Sequence, residues 1–300
     1  MSTTRHEIRW SRPTASAATT ARAGRNNAVG VLGRWQLAPV HLDIVLKYLE
    51  LGDLTLPLDV PSFGRTTEEF GRIARFERPR MEELGIVVRD EIQPRLAEAL
   101  RLLAKPYLWV DSLWFPKAGD DHCWRTLAVV TEGNRIVLGV QPPSDNPRYG
   151  GPLTVEVHEK APLSQVLLPT LPPAPPGNRG PVRVPQTSFR SSQPDEDEEV
   201  DVMAPGRPMR GGSGDRQVEL YEAIGRAEHV RLGQIAANLR DQYGRVRRSA
   251  VLKWFDNVEP DGRYLDHSAR AATGEQLFML TPADARTIGG EIEGLVGQVR

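Results

Sequence analysis

Three pairs of sequence neighbours carry the residue types that could do chemistry: His122-Cys123, His158-Glu159 and Asp266-His267. An imidazole beside a thiol can generate a nucleophilic thiolate. Neighbours along a strand point to opposite faces, however, and a lone cysteine ordinarily serves as a small buried apolar group. The other two pairs have metal-ligating types but no third ligand at a fixed spacing, so a metal would need partners from elsewhere in the chain. Gly211 to Gly214 form a glycine string with no Lys-Ser or Lys-Thr after it, and so do not form a phosphate loop. Gly-x-Ser-x-Gly, His-Glu-x-x-His and calcium-loop spacings are missing as well. The sequence therefore predicts no catalytic residue, no metal ligand and no cofactor. An enzyme site assembled from scattered residues stands as the competing reading.

Binding chemistry has more candidates. Arg240, Arg245, Arg247 and Arg248 surround Tyr243, a combination found on nucleic-acid surfaces. The net charge of -1 gives no global field to attract a polyanion, so this run reads as a solvated loop and no nucleic acid is expected. The acidic run Asp195 to Asp201 reads as self-repelling and solvated. Trp109, Trp114, Phe115 and Trp124 concentrate aromatic area in one region, most of it for the core and some of it suited to anchoring a protein partner. Cys123 is the only cysteine, which excludes an intrachain disulfide and fits a reducing compartment. No stretch reads as a membrane span or a secretory leader, so a cytoplasmic location is expected.

These residues have to be positioned by a chain of 300 residues with 39% hydrophobic content, enough for one large domain or two halves sharing a sheet. Residues 1–34 read as a disordered tail, 35–170 as a first half, 171–214 as a disordered Pro-rich and acidic linker, and 215–300 as a second half. A helix starts at Pro39, Leu54 to Pro61 read as an edge strand or strap, and Thr66 with Glu69 form a capping box for the next helix. Leu96, Leu100 and Leu103 mark another helix. Strands are expected at Tyr107–Val110, Trp124–Val130, Ile136–Val140 and Leu153–Val157, with Gly133-Asn134 as a hairpin turn. Beyond the linker, Gln217–Glu228 reads as helix, and Gly233–Leu239, Ala250–Phe255 and Leu277–Leu280 as strands. Thr281 is expected to cap the last helix, with Pro282 at its first position. Both halves run from several strands through an apolar strand to a proline-opened helix, an order compatible with an internal duplication.

Several segments then resemble the EspG family of type VII (ESX) secretion-associated proteins. Val40-His41-Leu42-Asp43, Leu51-Gly52-Asp53-Leu54 and Leu56 to Gly64 are similar to its opening helix, Leu-Gly turn and Pro-Leu-x-Val-Pro-Ser-x-Gly strap. Gly233-Gln234, Asp241 to Ser249, Leu252 to Asp256, Asp261 to Leu265 and Thr281 to Asp284 are similar to its later strands, its Asp-Gly-Arg-Tyr turn and its closing helix. The resemblance implies an α+β fold with a central, largely antiparallel sheet flanked by helical bundles; the order of parts leaves open whether pseudo-twofold halves or coincidence explains the repetition. It also implies a cytoplasmic chaperone that covers the apolar tip of a PE/PPE-type or related helical-hairpin secretion substrate and keeps it soluble until export, without cofactor or catalysis. A structural or regulatory subunit of the secretion apparatus is the alternative. Gly233, Gln234, Ile235 and Ala237, with the closing helix, are the expected partner-binding residues. Homodimerisation of the client-free protein through a sheet edge is left open by the sequence.

Overall fold

The computed structural model describes residues 30–133, 135–190, 213–271 and 273–300. In the first half β1 (Val31–Leu37) leads to α1 (Pro39–Tyr48), α2 (Thr67–Glu83), a small hairpin of β2 (Val87–Val88) and β3 (Glu91–Ile92), and α3 (Pro94–Ala104). A meander of β4 (Leu108–Phe115), β5 (Trp124–Val130), β6 (Arg135–Gln141) and β7 (Leu153–Glu159) follows, and α4 (Leu163–Leu167) closes it. The second half opens with β8 (Val182–Pro185), α5 (Gln186–Arg190) and α6 (Ser213–Gly225). It continues with β9 (His229–Arg240), β10 (Val246–Arg248), β11 (Leu252–Asn257), β12 (Arg263–Arg270) and β13 (Gln276–Pro282), and closes with α7 (Ala285–Val299).

All strands except β2 and β3 join one 11-stranded sheet in the order β1-β7-β6-β5-β4-β9-β11-β12-β13-β8, with β10 beside β9. Every strand pairing is antiparallel. The fold is thus the expected α+β arrangement around an antiparallel sheet. Each half repeats one order: an opening strand at the outer edge, helices, a meander whose last strand pairs with that opening strand, then a helix. The halves meet where β4 pairs with β9.

Alternation decides what each strand face meets. On one face, α1 and α3 pack Leu42, Val45, Leu96, Leu100 and Leu103 against Leu127, Val137 and Val155. Each such buried side chain contributes about 1.5–3 kcal/mol of transfer free energy. On the opposite face, α4 and α7 lie over the middle of the sheet, with Val166, Leu167, Ile288, Ile292 and Leu295 against Val110, Ala128, Leu138, Ile235 and Ala237. At the far end of the first face, Ile224 of α6 covers Phe255, Tyr264 and Leu280 with Val182 and Val184 of β8.

Several boundaries differ from expectation. Val31 to Arg34, read as tail, are in β1, where Trp35 and Leu37 reach the core. Leu171 to Arg190, read as disordered linker, supply a wall of loop, then β8 and α5. Residues 1–29 and 191–212, with the acidic run, lie outside the described residues. Of the edge strand or strap expected at Leu54 to Pro61, the chain forms the strap: the buried Gln141 side chain accepts from Asp59 N (2.9 Å) and donates to Asp59 O (2.9 Å), standing in for a strand partner. Asp43 holds the end of that strap by accepting from Phe63 N at 2.9 Å. Thr66 caps α2 through Glu69 N, while the Glu69 carboxylate turns to Arg65 N. The last helix is capped by Asp284, because β13 pairs with β12 as far as Pro282. Asn134 lies outside the described residues, while Gly133 has the positive φ of 80° suited to a turn.

Candidate functional site

Between the helices of the first half and α6, the first face is open over β4, β9 and β11. Strand register sets its floor in two rows. One row runs Phe115, Leu232, Phe255, Tyr264, and the next runs Leu113, Gln234, Lys253, Asp266. Leu113, Phe115 and Leu232 are half-buried, while Gln234 and Lys253 are exposed. Together they line an open valley of about 510 Å³.

The polar side chains around this valley are not alike. Asp266 accepts from Tyr221 of α6 at 3.3 Å. Burial, and then the charge of Asp266, push the Tyr221 phenol up to about 12. His229 is fixed by Asn257 Oδ1 at 2.7 Å and lies 4.4 Å from the Phe255 ring. Among the described residues, the side chains of Gln234 and Lys253 make no hydrogen bond or ion pair. At one end of the floor, Arg248 forks onto Asp111 (2.6 and 3.0 Å), which also accepts from Asn238 at 2.7 Å.

β9 separates the expected binding residues by parity. Gln234 faces the valley. Ile235 (1% exposed) and Ala237 (0%) point the other way, into the core under α7. Gly233 is there to let two indoles close: a Cβ would lie 2.6 Å from Trp114 Cβ and 2.7 Å from Trp254 Cε2. The expected strand therefore borders the open face, but three of its four residues serve packing. The closing helix lies on the opposite face from the valley. Leu113, Leu232 and Lys253 went unmarked in the sequence because they are contributed by three separate strands. Phe115 belonged to the aromatic cluster already singled out, in which Trp109 and Trp114 are core and Trp114 stacks on Trp124 with centroids 5.5 Å apart.

The chemistry-bearing pairs are drawn apart. His122 bonds Asp120 at 2.7 Å, and that bond holds its pKa above the usual histidine value. Cys123 is buried just ahead of β5, and burial pushes its thiol up, away from the reactive thiolate. His158 contacts Glu156 at 2.9 Å and not its neighbour Glu159. Asp266 faces the valley while His267 faces α7, its Nδ1 3.9 Å from Glu291. Of the arginine run, Arg248 is held by Asp111, and Arg240 donates to Pro106 O at 3.2 Å with its guanidinium over Trp109. Arg245 and Arg247 stay exposed.

A wide antiparallel sheet with helices over both ends of one face and an open stretch of mixed apolar and polar residues between them defines an α+β protein. The sequence profile of the EspG family matches residues 38–294, and the chain belongs to that family. Among solved structures, the chain is similar to the Mycobacterium tuberculosis type VII secretion system chaperone EspG5, determined in complex with a PE25–PPE41 dimer. The match has a TM-score of 0.61 at 17% identity and covers 89% of this chain and 97% of that one. A comparison with curated protein sequences finds no match. No helix among the described residues is long and apolar enough to cross a membrane.

Proposed function

We propose that the chain is a cytoplasmic chaperone of a type VII secretion system, without catalytic activity, that docks the apolar end of a helical PE/PPE-type substrate on the open face of its sheet. The observation that carries this reading is the half-buried strip of Leu113, Phe115 and Leu232, left uncovered between two helical layers. An apolar patch set in a polar rim is the usual form of a protein-docking site. Membership of the EspG family and the PE25–PPE41 complex of EspG5 supply the kind of partner. An apolar helix end aggregates unless covered, so a cover that binds and releases is sufficient for the task.

Co-expression with PE/PPE-type pairs from the same organism tests this. One pair is expected to become soluble in a stoichiometric complex with the chain. Leu232→Arg is expected to weaken that complex by about 30-fold or more, the effect of removing a central anchor. Clients that stay insoluble beside a folded chain would overturn the reading.

A further inference from the structure

Lys253 and Gln234 are donors that, among the described residues, have nothing to donate to, and they stand beside an apolar strip. Asp266 lies directly across from Lys253 on the next strand, with one carboxylate oxygen taken by Tyr221. The row Gln234, Lys253, Asp266 therefore runs from neutral and cationic donors to an anionic acceptor over three adjacent strands. Its two ends are two strand spacings apart, about 9–10 Å. Two antiparallel helices pack at about the same separation, 8–10 Å between axes.

A helical hairpin presents a matching pattern at its turn. The helix that enters the turn leaves its last carbonyls unpaired and partly negative, while the helix that leaves the turn exposes its first N–H groups, partly positive. Pressing such an end onto an apolar floor strips water from these groups, and each one left unpaired costs about 1–3 kcal/mol. On the basis of the chaperone reading above, we infer that this row caps a client hairpin end. Lys253 and Gln234 donate to the terminal carbonyls of the entering helix, and the free Asp266 oxygen accepts from the first N–H groups of the leaving helix. The apolar strip Leu113, Phe115, Leu232 covers the side chains of the turn. The polarity of the row then fixes which way round the hairpin sits, whatever the sequence of its tip.

The test uses the full chain and the PE/PPE-type pair that co-purifies with it, measuring affinity for native protein, Lys253→Glu, Lys253→Met, and the reversed pair Lys253→Asp with Asp266→Lys. Lys253 is exposed, so the thermal midpoint of the single variants should stay at the native value. Lys253→Glu is expected to weaken binding about 5- to 30-fold and Lys253→Met about two- to fivefold, the range for a charge at a partly buried helix end. The reversed pair should bind worse than either single variant, and neutralising acidic side chains at the client tip should leave the Lys253→Glu penalty unchanged. If Lys253→Glu binds within twofold of native, the inference falls while the chaperone reading stands. If neutralising one client carboxylate erases the penalty, Lys253 reads a side chain and the helix-end assignment is wrong. Native protein that captures no pair overturns both.

Discussion

The two halves of the sheet share a strand order and are held by different physics. The first half lies under three helices, α1 to α3, and a continuous apolar cluster that includes Leu42, Leu96, Leu100, Leu103, Val137 and Val155. The second half has α6 and a cluster of six buried residues on the same face. Its last strands and the turn between them also carry a set of buried polar groups. Asp256 (2% exposed) takes a two-point bond from Arg263 (3%) at 2.7 and 2.9 Å, and lies 2.9 Å from Arg231. Arg263 also donates to Pro172 O at 2.8 Å and sits 4.3 Å over the Trp254 ring, so one guanidinium ties β11, β12 and the loop before β8 together. Asp261 accepts from Asn178 N, Asn257 and Tyr264 at 2.9, 3.2 and 2.8 Å. Repeating a topology does not repeat its energetics. On the first face the second half buries a smaller apolar cluster than the first half does, and its last strands add directional polar bonds on the opposite face.

The contrast can be broken most strongly at Asp256. Asp256→Ala leaves Arg263 buried without its carboxylate, and a loss of about 4 kcal/mol in chemical denaturation is expected. Leu103→Ala, its counterpart in the first half, should cost about 3 kcal/mol through lost transfer energy and a cavity. An Asp256→Ala loss below 1 kcal/mol would mean that the second half does not depend on its ion pair. At the seam, Gly233→Ala drives a methyl into Trp114 and Trp254, with an expected cost of about 2 kcal/mol. A Tm equal to native would show that the indoles can part.

The last effect appears only in alkali. Burial first, and then the bond to Asp261, push the Tyr264 phenol from its ordinary value of 10.0 up to about 12, and Tyr221 stands equally high. Both native pKa values are raised, so this stabilisation is complete below pH 10 and is lost as pH climbs toward 12, because the unfolded chain ionises first. Hydrogen exchange in that window should accelerate in β11 to β13 before β5 to β7. Simultaneous loss in both halves would remove the distinction.

The sequence carried most of this frame where a strand is half-buried. Leu153, Val155 and Val157 alternate with Thr154, Glu156 and His158, and the structure buries the first set. What it hid was the edges. Val31, Gly33, Trp35 and Leu37 alternate too, but they follow a tail-like composition. Val182 and Val184 offer only two apolar residues among prolines, and both strands exist because β7 and β13 supply partners. The site was half legible. Parity along β9 sets Gln234 toward the valley and Ile235 and Ala237 toward the core under α7, a division the strand's alternation alone could have drawn. Leu113, Leu232 and Lys253 gain meaning only when three strands distant in sequence are set side by side.

The position of β8 has a consequence for how the polypeptide is threaded. It precedes residues 191–212 in the chain, yet its partner β13 follows them. A chain break introduced anywhere in 191–212 would therefore not separate the molecule along its seam. The N-terminal fragment would keep β8, still inserted as the outermost strand of the C-terminal fragment, as well as β4, zipped to β9 in the middle. The two pieces would be clasped at two separate places, β4 on β9 and β8 on β13, and nicked protein should migrate as one body until it is denatured.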